Sequence, residues 1–173
     1  LTKLLSDDED DVVTVYMSHK NMVVAFEELT FFTRLIVGEF VNYNSIIIKN
    51  HKIEVVASKQ EMLAALEKAS LITEERIAGS VRSHVRIEVC GDILKVSAVS
   101  TAGSIYDEVN IEHSGDDLSI AFNNRFLIDS IKACRSEKVK LSMSSPLMGI
   151  NVEPCDDESG SELFMLLPVR TRD

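Results

Sequence analysis

The chain has 173 residues, 45% of them hydrophobic and 27% charged, with a formal net charge of -10 at pH 7. This usage excludes wholesale disorder, and the length suits either one well-buried domain with an appendage or two small domains. The acidic balance argues against a sequence-reading nucleic-acid binder, whose footprint is normally basic, and leaves room only for a local basic face.

No apolar run approaches the roughly 20 residues that a helix needs to cross a bilayer. No signal peptide and no membrane contact are expected, which points to a cytoplasmic protein. Cys90, Cys134 and Cys155 are odd in number and irregular in spacing, which suits reduced thiols better than a disulfide framework. His19, His51, His84 and His113 stand singly, without the paired Cys or His spacing of a metal site, so no metal or other cofactor is expected.

In chain order, Leu-Thr-Lys-Leu-Leu at 1–5 reads as the tail of a helix, and with no initial methionine the chain is expected to be a piece of a longer protein. An acidic run at 6–11 lacks the glycine of a calcium-binding loop and reads as a solvated turn. Alternation then begins, with Val13, Val15 and Met17 on one face of a strand and Thr14, Tyr16 and Ser18 on the other. His19, Lys20 and Asn21 make a turn, residues 22–26 a second strand, and residues 29–37 a third that Gly38 closes. Residues 40–48 are predicted to run extended and residues 49–51 to form a linker.

A new unit opens with a strand at 52–57, where Ile53 and Val55 alternate with charged or exposed positions. Ser58 and Glu61 have the spacing of a capping box, in which each side chain takes the other residue's amide hydrogen. The helix that follows carries Met62, Leu63, Leu66 and Ala69 at helical spacing and ends near residues 71–73. A polar loop at 74–82 leads to three strands, at 84–89, 93–100 and 104–112. The order then repeats: a strand at 118–122, and a helix capped by Asn123 or Asn124 that carries Phe126, Leu127, Ile131 and Cys134. Strands at 139–143 and 147–152 flank a turn with Pro146, an acidic hairpin loop spans 155–160, and residues 162–169 form the closing strand.

One pattern thus occurs three times, a helix followed by three strands, with a leading strand in the two complete copies. Two such copies can share one core as a single α+β domain. Residues 51–173 are expected to be that domain, and residues 1–50 the second half of a preceding domain of the same kind with its linker.

Four stretches carry a family resemblance. They are Phe-Thr-Arg-Leu-Ile-Val-Gly-Glu-Phe-Val-Asn-Tyr at 32–43, Ile-Ile-Ile-Lys-Asn at 46–50, Phe122 and Asn123 leading into the second helix, and Leu-Pro-Val-Arg at 167–170. In their order and spacing they resemble the bacterial sliding clamps, the DNA polymerase III beta subunits. The resemblance covers essentially the whole chain, which is less than half of such a protein. It implies the DNA-clamp fold and a non-catalytic role in DNA replication: a head-to-tail homodimeric ring around duplex DNA, sheets outside and helices lining the hole. It also implies a nucleoid-associated protein that tethers polymerase, clamp loader and repair proteins through a linear peptide motif.

Carried over by position, the resemblance implies a partner-peptide pocket from Val41, Ile46, Gly149, Met165, Leu167, Pro168, Val169 and Arg170. Exposed Met, Leu and Val beside an arginine make adaptable apolar surface with one polar anchor, which suits a linear-motif groove. On periodicity alone Met165 suits core and groove equally. The family usually has proline where this chain has Val41 and Ile48, so fixed φ angles are lost from the interdomain segment. Lys59 and Lys68 on the first helix and Arg125 and Lys132 on the second are the DNA-facing cations, or else ordinary solvated helix faces. Leu71 and Ile72 mark the ring interface, although two apolar residues at a helix end suit a core equally. The alternative is a metal-dependent phosphotransferase built on Asp156, Asp157 and Glu158; no phosphate loop, nucleophile elbow or paired metal carboxylates accompany them.

Overall fold

The computed structural model describes residues 12–26, 28–73, 84–101, 103–156 and 162–171. The expected helix tail at 1–5, the acidic run at 6–11, the loop at 74–82 and most of the loop at 155–160 lie outside these residues. The chain divides into two compact units between Tyr43 and Asn44.

In the first unit, β1 (Thr14–Met17), β2 (Asn21–Phe26) and β3 (Leu29–Arg34) form an antiparallel meander in the order β1-β2-β3. The register sets Val15, Val24 and Phe31 side by side, so the apolar alternation read from the sequence gathers on one face. Val24 and Phe26 are buried there, while Val15, Met17 and Leu29 are exposed. The third strand stops at Arg34 instead of reaching residue 37, because its partner β2 begins at Asn21, opposite Arg34; one further in-register bond, from the Leu35 amide to the Lys20 carbonyl at 2.8 Å, ends the pairing at the β1–β2 turn.

The second unit consists of β4 (Ile53–Ser58), α1 (Lys59–Thr73), β5 (Val85–Cys90), β6 (Ile93–Ser100), β7 (Gly103–Ser114), β8 (Leu118–Phe122), α2 (Asn124–Ala133), β9 (Lys138–Met143), β10 (Ile150–Pro154) and β11 (Phe164–Leu166). All strand pairs are antiparallel, in one eight-stranded sheet ordered β11-β10-β9-β4-β7-β6-β5-β8. Alternate residues point inward in matched rows, such as Val85 opposite Ala98, Ile87 opposite Val96 and Leu141 opposite Val55. They meet Met62, Leu66 and Ala69 of α1 and Leu127 and Ile131 of α2 in one core. This is the α+β architecture that the repeat implies.

The copies β4-α1-β5-β6-β7 and β8-α2-β9-β10-β11 are related strand for strand. β4 pairs with β9, and β8 correspondingly pairs with β5. β4 also pairs with β7, for which the counterpart would be β8 with β11. That contact survives as one hydrogen bond, from the Val169 amide to the Ala121 carbonyl at 2.8 Å. Counted back from the helix caps, Ala121 takes the place of Val56, whose partner on β7 is Glu112. Hence the closing strand is three residues long, not the eight expected at 162–169: after Leu166 the chain leaves β10 and crosses to the opposite edge of the sheet, through Pro168, which has no amide hydrogen to offer a ladder.

The two helices are tied head to tail. Ser58 caps α1 by accepting the Glu61 amide at 3.4 Å, and Asn123 caps α2 by accepting the amides of Arg125 and Phe126. The first residue of each helix reaches the far end of the other. Lys59 Nζ donates to the carbonyls of Lys132 and Cys134, where the negative end of the α2 dipole favours a cation. Asn124 Nδ2 donates to Leu66 O, Ser70 Oγ and Thr73 Oγ1 near the end of α1.

Candidate functional site

The strap that joins the units belongs structurally to the second. A 3-10 turn at Tyr43–Ser45 interrupts the extended run predicted for residues 40–48, and the segment then lies against the end of the sheet. Lys52 N donates to Met143 O at 3.0 Å and Ser144 Oγ to Asn50 O at 3.1 Å. The Ile48 carbonyl receives two side chains, His51 Nε2 at 2.8 Å and Asn151 Nδ2 at 3.0 Å. A carbonyl oxygen has two lone pairs, and these two donors fill both. Their other heteroatoms, His51 Nδ1 and Asn151 Oδ1, are buried without a partner, at a typical cost of about 1–3 kcal/mol each.

Beside the strap, the β9–β10 turn brings Gly149 under the chain end. A Cβ at Gly149 would lie 3.0 Å from Leu166 O, 3.3 Å from Leu167 Cδ2 and 3.6 Å from Ile48 Cδ1. The absence of a side chain therefore lets Leu167 and Ile48 approach over the same point. Leu167 is 71% exposed, although it directly follows the buried Leu166. Ile46 is exposed on the strap, and Leu147 and Met148 are exposed on the turn that carries Gly149.

The structure thus brings Gly149, Leu167 and Ile48 together, with Met165 half-buried opposite Asn151, Pro168 and Val169 half-buried, and Arg170 exposed. Val41 lies in the first unit, where it is exposed. Leu147 and Phe126 were not picked out as site residues by sequence reasoning. Phe126 is exposed on the first turn of α2, shortly after the Ala121 carbonyl that holds Val169. The signal available for both was a large apolar residue at a turn or cap where polar residues are usual.

The four cations on the helices are all engaged. Lys68 pairs with Asp107 at 2.6 Å, Lys132 with Glu67 at 2.7 Å, and Arg125 with Asp129 at 3.8 Å, while Lys59 holds the end of α2. The Lys68 hydrogen bond keeps the Asp107 carboxyl below its ordinary range, and the Glu67 hydrogen bond raises Lys132 above its own. All three ion pairs are solvent-exposed and individually weak.

At the end of α1, Leu71 is 75% exposed, whereas Ile72 packs partly against the core. Lys68 and Leu71 share a side of the helix, and the Lys68 pair with Asp107 turns that side toward β7. β4 covers β7 only at Ile111 to Ser114, so among the described residues 103–110 form an open strand edge.

Among the described residues no three His, Cys, Asp or Glu side chains gather as a metal site; Asp156 lies in an exposed turn, and Asp157 and Glu158 lie outside the described residues. Burial pushes the Cys134 thiol up, away from the low value of an activated nucleophile. No described helix is long and apolar enough to cross a membrane.

Residues 44–168 match the family model for the DNA polymerase III beta subunit, C-terminal domain. The chain is 26% identical over 172 residues to the beta sliding clamp of Lactococcus lactis, covering 97% of this chain and 44% of that protein. It is 24% identical over 173 residues to the beta sliding clamp of Staphylococcus aureus, covering 99% and 44%. Among solved structures it resembles a putative DNA polymerase III beta subunit from Eubacterium rectale, with a TM-score of 0.80, 25% identity and coverage of 98% and 44%. It also resembles the beta subunit of the Streptococcus pyogenes DNA polymerase, with a TM-score of 0.75, 30% identity and coverage of 92% and 42%. The chain therefore spans less than half the length of these relatives.

Proposed function

The chain belongs to the DNA polymerase III beta-subunit family through its C-terminal domain, and on that premise we propose that it serves as part of a bacterial processivity clamp. It is a non-catalytic protein that encircles duplex DNA as a head-to-tail dimeric ring and tethers polymerase, clamp loader and repair proteins. Residues 51–173 are the C-terminal clamp domain, and residues 1–50 are the second half of the middle domain with the linker.

The observation that carries this reading is the exposed apolar surface where the sheet closes. Leu167 stands exposed over Gly149 and beside the strap, and Val169 is pinned across the seam to Ala121. A linear motif rich in leucine and phenylalanine finds adaptable apolar contacts there, with Arg170 as a polar anchor. Ile46, Gly149, Met165, Leu167, Pro168, Val169 and Arg170 form this groove within the second unit, and Val41 remains a groove residue only by resemblance. Phe126 and Leu147 extend its walls.

The open edge of β7 with Leu71 suits the ring interface, since an unpaired strand edge is a template for another chain. Ile72 supports it from within. Lys68, Arg125 and Lys132 face the DNA, where phosphates compete with Asp107, Asp129 and Glu67 for them. Contact is loose, weakens with salt and ignores sequence. Lys59 contributes by holding the end of α2.

Fluorescence polarisation with a labelled Gln-Leu-Asp-Leu-Phe peptide tests the groove. Leu167→Ala is expected to weaken binding about tenfold, or about 1.4 kcal/mol. Unchanged affinity in that variant would refute the assignment.

A further inference from the structure

We propose that His51 and Asn151 are positioning residues for the peptide groove, acting together as a two-point latch on the Ile48 carbonyl. The inference rests on the groove reading above. Both donors converge on one oxygen, one local and one distant in the sequence: His51 from three residues further along the strap, and Asn151 from β10 in the sheet. Donor and acceptor assignment is fixed by chemistry. A carbonyl oxygen accepts only, so Asn151 must present its amide nitrogen, and His51 must carry a proton on Nε2.

The latch sits where the groove is assembled. Ile48 Cδ1 lies 3.6 Å from the point where a Cβ would stand on Gly149, and Leu167 closes on the same point from the chain end. Asn151 is opposite Met165 in the β10–β11 ladder, so the residue that holds the strap also shares a face with a groove residue. Ile48 has no ring to fix its φ, so the backbone there takes its orientation from what its carbonyl binds. Fixing that carbonyl sets the direction of the isoleucine run on the strap, and with it the exposed Ile46.

The polar pair also carries a cost. Asn151 is 4% exposed, yet its Oδ1 has no partner, and His51 Nδ1 is likewise buried and unpaired. An apolar pair would fill the same space without stranding two acceptors. What the polar pair provides is direction, a defined angle at one carbonyl.

The test uses the chain with three variants: His51→Leu, which removes the donor, His51→Gln, which keeps an amide donor at similar reach, and Asn151→Asp, which replaces the donor with an acceptor. Two quantities are read, the hydrogen exchange of amides at 46–50 and the affinity for the Gln-Leu-Asp-Leu-Phe peptide. His51→Leu and Asn151→Asp are expected to speed exchange at least tenfold and weaken the peptide at least fivefold, and His51→Gln to restore both to within about twofold. Unchanged strap exchange in His51→Leu would overturn the latch. Faster exchange with unchanged peptide affinity would overturn its positioning role while leaving the groove standing. A parent chain that does not bind the peptide at all would overturn the groove reading, and the positioning role with it.

Discussion

Gly115→Ala is expected to destabilise the protein by about 3 kcal/mol, more than the same change at Gly91. Gly115 has φ +103, a conformation that side chains rarely adopt, and a Cβ there would lie 2.4 Å from Lys52 O and 3.0 Å from Ile53 Cα. Both are backbone atoms, at the beginning of β4, and backbone cannot rotate aside as the end of a flexible side chain does. The strand that would have to move is the one that joins the two halves of the sheet, paired with β7 on one side and β9 on the other. Gly91, in the β5–β6 turn, also has a positive φ of +55, but nothing lies within 4 Å of its Cβ position. Its replacement should cost only the left-handed backbone penalty of about 1–2 kcal/mol. Chemical denaturation of both variants checks this, and equal losses would show that close packing at β4 is not what Gly115 serves.

Asn124→Asp is expected to cost about 3 kcal/mol at neutral pH and to recover as the solution is acidified. The replacement is isosteric, so the loss is polar and not steric. Asn124 is 3% exposed, and its Nδ2 faces Leu66 O, Ser70 Oγ and Thr73 Oγ1. A carboxylate there is buried and aimed at a carbonyl near the negative end of α1, so its pKa in the folded state rises above the unfolded value. Between those two values the folded state holds more protons than the unfolded one, and stability falls as pH rises. The deficit is therefore complete above the raised folded pKa and shrinks as pH drops toward the ordinary carboxylate range. Denaturation midpoints against pH, compared with the parent chain, read this directly; a pH-independent deficit would mean that packing, not charge, is responsible.

How much was legible in the sequence follows from which forces are local. Strand alternation was readable in β4, β5 and β6 because a half-buried strand shows its inward residues at every second position. Both helix starts were readable because a cap is a contact between near neighbours, as with Ser58 and Glu61 or Asn123 and Phe126. The short β11 was not, because the seam depends on the Val169 amide meeting Ala121, far away in the chain.

The strap shows the same limit. Residues 49–51 read as a linker because the bonds that join Ile48 to Asn151, Asn50 to Ser144 and Lys52 to Met143 leave no periodic trace. Lys59 was grouped with the other helix cations by charge alone, while its ammonium is committed to the end of α2. Gly149 was placed in the site by resemblance, and the structure supplies the physical reason for a glycine there, in the approach of Leu166, Leu167 and Ile48.

An NMR titration of the labelled chain with unlabelled Gln-Leu-Asp-Leu-Phe peptide tests whether the seam is a partner-binding groove. Saturable shifts are expected, concentrated at Ile46, Gly149, Met165, Leu167, Val169 and Arg170, with Phe126 and Leu147 at the margin, and none along α1. Shifts that fail to saturate, or that centre away from the seam, would contradict it.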